Sequence, residues 1–280
     1  MTVAVVTDST ADLPADLVAK HGVRIVPLRI AIDARAAVDG VDIGPDEVVE
    51  ALQAKRSVST SRPSPGDFVN AYREALDSDA DHVVSVHLSA ELSGTWDSAR
   101  LAAQEFGYGT VRVVDSRSTS MALGFAVLAA ARAAAEGASA GDVQDAAVAA
   151  ADRTSCLFYV DTLEYLRRGG RVGAAAAMLG TALSVKPLLH VRDGRIVPLE
   201  KVRTSSRALA RLVALTVQSA GAEPVDIGVQ HLAAKDRADE VAGQLREQLP
   251  SVRQLITGQV SATVGAHTGP GVVGVAVARR

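Results

Sequence analysis

The stretch HVVSVHLSAELSGTW, His82 to Trp96, decides the reading of the fold. Its first residues, HVVSVHL, have the composition of a buried strand. A turn of small hydroxylated residues and Gly94 follows, and then TWDSARLAAQEF, with the apolar spacing of a helix that Ser93 is placed to cap. A strand that hands directly into a helix is half of a βαβ unit, and such units build parallel sheets. The turn between them offers hydroxyls and main-chain N–H groups to an anion, with Gly94 leaving the backbone approachable.

The same alternation extends in both directions. Upstream, VAVV runs into TDSTADLP and a helix that starts at Pro14 and continues to His21. VRIVPLRI reads as a strand with a ribbon, ARAAVDG, behind it, and GPDEVVEALQAK as a helix with an acidic first turn. SVSTSRPSP reads as a hydroxyl-rich loop before the helix SPGDFVNAYREAL, with Ser64 or Asp67 near its cap. Downstream, TVRVVD is a strand and the alanine-rich stretch after Ser118 a helix. Beyond that the pattern changes. DTLEYLRRGGRVG is a helix closed by glycines. VKPLLHVRDGRIVPLEKV places Asp193-Gly194 between alternating apolar runs, a hairpin signal that requires antiparallel pairs. VDIGVQHL and GVVGVAV are two further strands. The expected architecture is therefore α/β with two α/β domains. Residues 1–153 form a mostly parallel three-layer sandwich and residues 154–280 a mixed sheet with a hairpin.

Composition narrows the function. The chain has 280 residues, 48% hydrophobic, with net charge −3 and 3% aromatics. Mixed, nearly balanced charge and few rings argue against nucleic acid. Cys156 is the single cysteine, which fits a reducing interior and a cytoplasmic location. The N-terminus lacks the basic segment and long apolar run of a signal peptide. The longest greasy segment, VGAAAAMLGTALSV, is too short to span a bilayer, which takes roughly 20 residues, and reads as a buried helix running into a strand.

Several chemistries fail on motif. No Walker loop is present, and GPGVVG, Gly269 to Gly274, lacks the strand before and helix after that a dinucleotide fingerprint requires. Asp8 lacks the second aspartate of a phosphoaspartate motif. His21, His82, His87, His190, His231 and His267 form no metal-ligand spacing, so no metal is expected. There is no nucleophile elbow. What remains is a set of Ser- and Thr-rich loops after the strands. Helix capping explains each loop taken singly, and only their convergence makes a ligand site. His267, in the glycine-rich loop GAHTGPGVVG, is suited to donate to a carboxylate. Arg167, Arg168 and Arg171 surround two glycines where a helix C-terminus alone accounts for basic residues. Arg203 precedes Thr204, a helix cap.

Seven stretches taken in order are similar to one family. VTDSTADLP, TSRPSPGDF, HLSAELSGTWDSA, VVDSRSTSMALG, LEYLRRGGRVG, SVKPLLHVRDGRI and HTGPGVVGV resemble the DegV family, whose members include the fatty-acid-binding subunits of bacterial fatty acid kinase. The resemblance implies one long-chain fatty acid between two α/β domains, its carboxylate held by Thr60, Ser61, Ser93, Gly94 and His267. It implies Arg203 at a kinase-facing position; beside it, Arg62, Arg167 and Arg171 are candidates for a kinase-facing rim read from the residues themselves. Arg62 stands where many members carry glutamine, and Trp96 where many carry tyrosine. The function so implied is a carrier without catalytic residues or a cofactor of its own. It draws a fatty acid from transient contact with a membrane surface, presents it to a separate ATP-dependent kinase and carries the acyl phosphate toward phospholipid synthesis. Two rivals remain open at this stage. One is a serine hydrolase or acyl-transfer enzyme built from Ser93, His267 and Asp115; the other is an anion sensor that takes no lipid.

Overall fold

The computed structural model describes residues 1–178 and 186–279. Its first half is built on a four-stranded, all-parallel sheet in the order β2-β1-β6-β7, formed by β1 (Val3–Asp8), β2 (Arg24–Val26), β6 (His82–His87) and β7 (Val111–Asp115). After α1 (Ala15–His21) and α2 (Pro45–Gln53), helices α3 (Pro65–Asp77) and α4 (Thr95–Ala103) cover one face, where Phe68 and Tyr72 are fully buried. Ser64 caps α3, accepting the Asp67 N–H, while Asp67 reaches back to the Ser64 N–H. Helices α5 (Ser120–Ala135) and α6 (Ala140–Asp152) cover the other face.

Helix α5 joins the two halves. Its sequence, SMALGFAVLAAARAAA, is apolar nearly all round, as a helix must be when it is buried on every side. Leu123, Ala126 and Val127 pack on the parallel sheet, while Met121, Phe125 and Leu128 pack on a second sheet. Burying each of these larger side chains contributes about 1.5–3 kcal/mol. The close approach depends on two glycines. A Cβ on Gly124 would lie 2.7 Å from the Ala11 carbonyl oxygen, and one on Gly228 2.7 Å from Met121 Cβ.

The second sheet has six strands, β10-β9-β8-β13-β11-β12, and is mixed. They are β8 (Thr154–Tyr159), β9 (Lys186–Arg192), β10 (Arg195–Val202), β11 (Val225–His231), β12 (Val252–Gln259) and β13 (Val273–Arg279). β9 and β10 are the hairpin turning at Asp193-Gly194, and only the β11–β12 pair is parallel. Helices α8 (Ser205–Ala220, capped by Thr204) and α9 (Lys235–Gln248) cover its outer face. No helix among the described residues is long and apolar enough to cross a membrane.

Four sequence expectations change. VRIVPLRI is two strands in two sheets, because Pro27 has no N–H for a ladder. β2 ends at Val26, and β3 (Arg29–Ile32) enters a small antiparallel sheet with β4 (Arg35–Val38) and β5 (Val58–Ser61). That sheet turns the expected loop SVSTS into strand β5. The loop expected around His267 contains a helix, α10 (Ala262–Thr268). The expected helix in VGAAAAMLGTALSV is a 3-10 turn at Gly173–Met178, and residues 179–185 of that segment lie outside the described residues. Strands β8 and β12 had no counterpart in the sequence reading.

Candidate functional site

The carboxyl ends of β1 and β6 meet β5, α10, the hairpin and a short helix, α7 (Glu164–Arg168), around a cavity of about 70 Å³. Its aliphatic walls are Leu28, Leu88, Leu92, Leu166, Ile196 and Val264. Its polar lining includes Thr60, Ser93 and His267, brought together from β5, the loop after β6 and α10. Both lobes are needed to close it.

Thr60 Oγ1 lies 2.7 Å from His267 Nε2. Burial, and secondarily the Arg171 cation, push the His267 imidazole down to about 4, so it is neutral near pH 7. Nδ1 is buried with no partner among the described residues. It rests against Gly169, where a Cβ would lie 2.1 Å away, so Gly169 makes room for the ring.

Ser93 lines the cavity but does not cap α4. Gly94 occupies the N-cap position, and Ser93 Oγ accepts the Thr95 N–H at 3.3 Å and shares a hydrogen bond with Thr95 Oγ1 at 2.9 Å. Gly94 itself does not line the cavity. The Arg62 side chain lies across it, with Nη1 donating to the Gly94 carbonyl at 3.4 Å and positioned 1.9 Å from where a Cβ would be. The glycine therefore admits Arg62 rather than leaving open backbone to a ligand. Ser61 is exposed and follows Thr60 on a strand, so the two side chains leave opposite faces and only Thr60 reaches the cavity.

The arginines separate in the same way. Arg171 turns inward, donating to the carbonyls of Leu92 (2.9 Å) and Gly169 (2.5 Å). Arg167 and Arg168 point outward and share Glu164, each at 2.8 Å. Arg203 is exposed at the end of β10, roughly 20 Å along the strand from Ile196, and lines neither this cavity nor the basic one beyond Thr60.

The hydrolase set does not assemble. Asp115 accepts the Ala90 and Arg117 N–H groups, and the His267 nitrogen that a triad carboxylate would hold abuts Gly169 instead. A serine–histidine–aspartate chain exists elsewhere. Ser85 Oγ is 2.6 Å from His87 Nε2, and His87 Nδ1 is 2.9 Å from Asp8 Oδ2, all three being fully buried. Asp8 also takes the Leu88 N–H and the Thr10 hydroxyl, so the chain fixes two wall residues of the cavity and opens to no solvent. The two-residue spacing of Ser85 and His87 on one strand face was a legible signal that the sequence reading passed over.

The N-terminus of α10 is held by two carboxylates from the first lobe. Asp12 Oδ1 accepts the Ser261 N–H at 2.8 Å, and Asp39 accepts those of Ala262 (3.2 Å) and Thr263 (3.3 Å). These contacts place His267 at the other end of the helix. Glycines complete the turn after it. A Cβ on Gly269 would strike the Tyr165 ring at 2.0 Å, and one on Gly271 the Asp161 carboxylate at 2.0 Å, which gives the GPG stretch a packing reason unrelated to nucleotides.

Two α/β lobes thus close on an aliphatic cavity with a hydroxyl–imidazole mouth. The chain belongs to the DegV family: the profile described as "Uncharacterised protein, DegV family" matches residues 2–280. A DegV domain-containing protein of Streptomyces coelicolor is 53% identical over 282 residues, covering 99% of each chain. Among solved structures, a DegV family protein of Thermus thermophilus described for its fatty acid binding superposes with a TM-score of 0.95 at 36% identity, covering 100% of both chains. DegV of Bacillus subtilis, described as a fatty acid binding protein, does so with a TM-score of 0.90 at 31% identity, again covering 100% of both.

Proposed function

We propose that this protein is a fatty-acid carrier that holds one long-chain acid between its lobes, with the carboxylate at Thr60, Ser93 and His267. The observation that carries the reading is the Thr60–His267 pair with Ser93 at the edge of an aliphatic cavity. The fatty acid binding described for the Thermus thermophilus and Bacillus subtilis relatives supports it. A 16-carbon tail transferred from water gains about 0.8 kcal/mol per methylene, or roughly 11 kcal/mol. A bilayer offers the same tail about as much, so the choice between carrier and membrane falls to the head group. Hydrogen bonds to a charged group contribute roughly 1.5–3 kcal/mol each. Sites for small molecules usually occupy roughly 300–1,000 Å³, so a tail bound at this cavity of about 70 Å³ requires its aliphatic walls to move apart.

The carrier works without a cofactor of its own in the cytoplasm, collecting its ligand in brief contact with a membrane surface. A separate ATP-dependent kinase phosphorylates the presented carboxylate, and the acyl phosphate travels on toward phospholipid synthesis. The outward Arg62 and Arg167, with Arg171 at the mouth, support a rim for an acidic partner face, and the exposed Arg203, further along β10, is a separate kinase-facing candidate. Residues 1–153 and 154–280 act as the two lobes. Extraction of the purified protein followed by mass spectrometry tests the reading. A stoichiometric acid of about 14–18 carbons is expected, and its absence after loading with palmitate would sink the carrier.

A further inference from the structure

Thr60, Arg171 and His267 border two cavities at once. Besides the aliphatic cavity, they line a second, larger one of about 470 Å³. Its lining contains four cations, Lys55, Arg56, Arg168 and Arg171, and among the described residues no carboxylate, in a chain of net charge −3. Ion pairs behind the wall do not neutralise it. Arg56 is paired with Asp33 at 2.6 Å, while the single Glu164 carboxylate serves both Arg167 and Arg168. Among the described residues, Arg171 donates to carbonyl oxygens alone and Lys55 makes no ion pair. Five cations thus face two carboxylates. Ser57, Ser59 and Thr60 add hydroxyls to the same wall.

A lone carboxylate at Thr60 would leave most of this charge unmatched. Tetrahedral phosphoryl oxygens match it, because they carry −1.5 to −2 charges near neutral pH and accept from guanidinium forks and an ammonium together. We infer that the cavity lined by Lys55, Arg56, Arg168 and Arg171 is a phosphoryl-binding site, sharing the Thr60–His267 pair with the aliphatic cavity. The phosphoryl group is either inorganic phosphate or one joined to the lipid carboxylate held at Thr60. The second source rests on the fatty-acid reading above.

The test compares three probes, inorganic phosphate, palmitate and 2-oxoheptadecylphosphonate, a stable mimic of palmitoyl phosphate. Their binding to the full-length protein and to a Lys55→Ala/Arg168→Ala variant is measured by calorimetry at low salt. Both substituted residues are exposed, and unchanged thermal midpoints confirm the fold. The phosphonate should bind the wild type at least ~10-fold tighter than palmitate, and the variant should lose that advantage while its palmitate affinity moves less than about 2-fold. Phosphate binding that needs Lys55 and Arg168, with no gain for the phosphonate, assigns the site to the free anion. If phosphate binds in this way while neither lipid binds, the fatty-acid reading fails and this site stands. If palmitate binds but neither phosphate nor phosphonate depends on the two cations, the inference is overturned.

Discussion

Thr60 and His267, 207 residues apart and on different lobes, share a hydrogen bond of 2.7 Å at the mouth of the aliphatic cavity. The neutral imidazole has one proton to place. On Nδ1 it would be a buried N–H without a partner, whereas on Nε2 it bonds Thr60 and leaves Nδ1 a bare lone pair. The second arrangement frees the Thr60 hydroxyl proton for the cavity, so His267 turns Thr60 into a donor.

Thr60→Ala and Ser93→Ala should each weaken fatty acid binding by about 1–3 kcal/mol, with Thr60→Ser retaining most of the affinity. Ser61→Ala, on the other face of β5, should leave it unchanged. Titration with a fluorescent fatty acid decides the matter. A loss at Ser61 equal to that at Thr60 would mean the strand's two faces are misassigned.

The shift of His267 to about 4 predicts an affinity that is flat with pH from about 5.5 to about 8, as far as this ring is concerned. The depressed value has a stability counterpart. The ring's contribution to the fold is present above its unfolded value near 6.5 and is lost as pH falls through 4. Dissociation constants across this range, for wild type and His267→Gln, check it. An inflection near 6.5 in the wild type alone would show a ring that protonates in the folded protein.

Much of this fold was legible because its signals are local. His82–Trp96 announced a strand, a turn and a helix within one stretch, and Asp193-Gly194 announced a hairpin. The site was less legible where its geometry is set from a distance. Thr60 and Ser61 are told apart only by β5, and β5 exists because Val58–Ser61 pairs with β3. Helix α10 has seven residues including Gly265, too little local propensity to declare itself, and it is anchored by Asp12 and Asp39 from the other lobe. Gly94 looked like open backbone because nothing local places Arg62 over it.

Gly169→Ala tests how His267 is seated. The Gly169 backbone, at φ −74°, accommodates alanine, so the substitution acts through its methyl group, which would lie 2.1 Å from Nδ1. The ring must leave Thr60. Fatty acid affinity should fall about as far as in His267→Ala, and the double variant should be no worse than either single one, since both remove the same contact. Additive losses would place the effect of Gly169 elsewhere.

Asp12 supplies the last prediction. Burial raises its carboxyl to about 7, against the lowering effect of hydrogen bonds from Ser120 and Ser261, and the Asp39 charge adds to the rise. In the unfolded chain the same group titrates near 3.8. The folded protein therefore keeps this proton across a window in which the unfolded chain has lost it. The group's contribution to stability is complete below 3.8 and fades as pH climbs through 7. Asp12→Asn keeps an oxygen for the Ser261 N–H and cannot ionise. The stability of wild type relative to this variant should decline from about pH 4 to about pH 7, most steeply between about pH 5 and about pH 6, and level off by about pH 8. Urea midpoints measured at several pH values give the comparison. Two parallel curves would mean that Asp12 already holds its charge when it anchors α10.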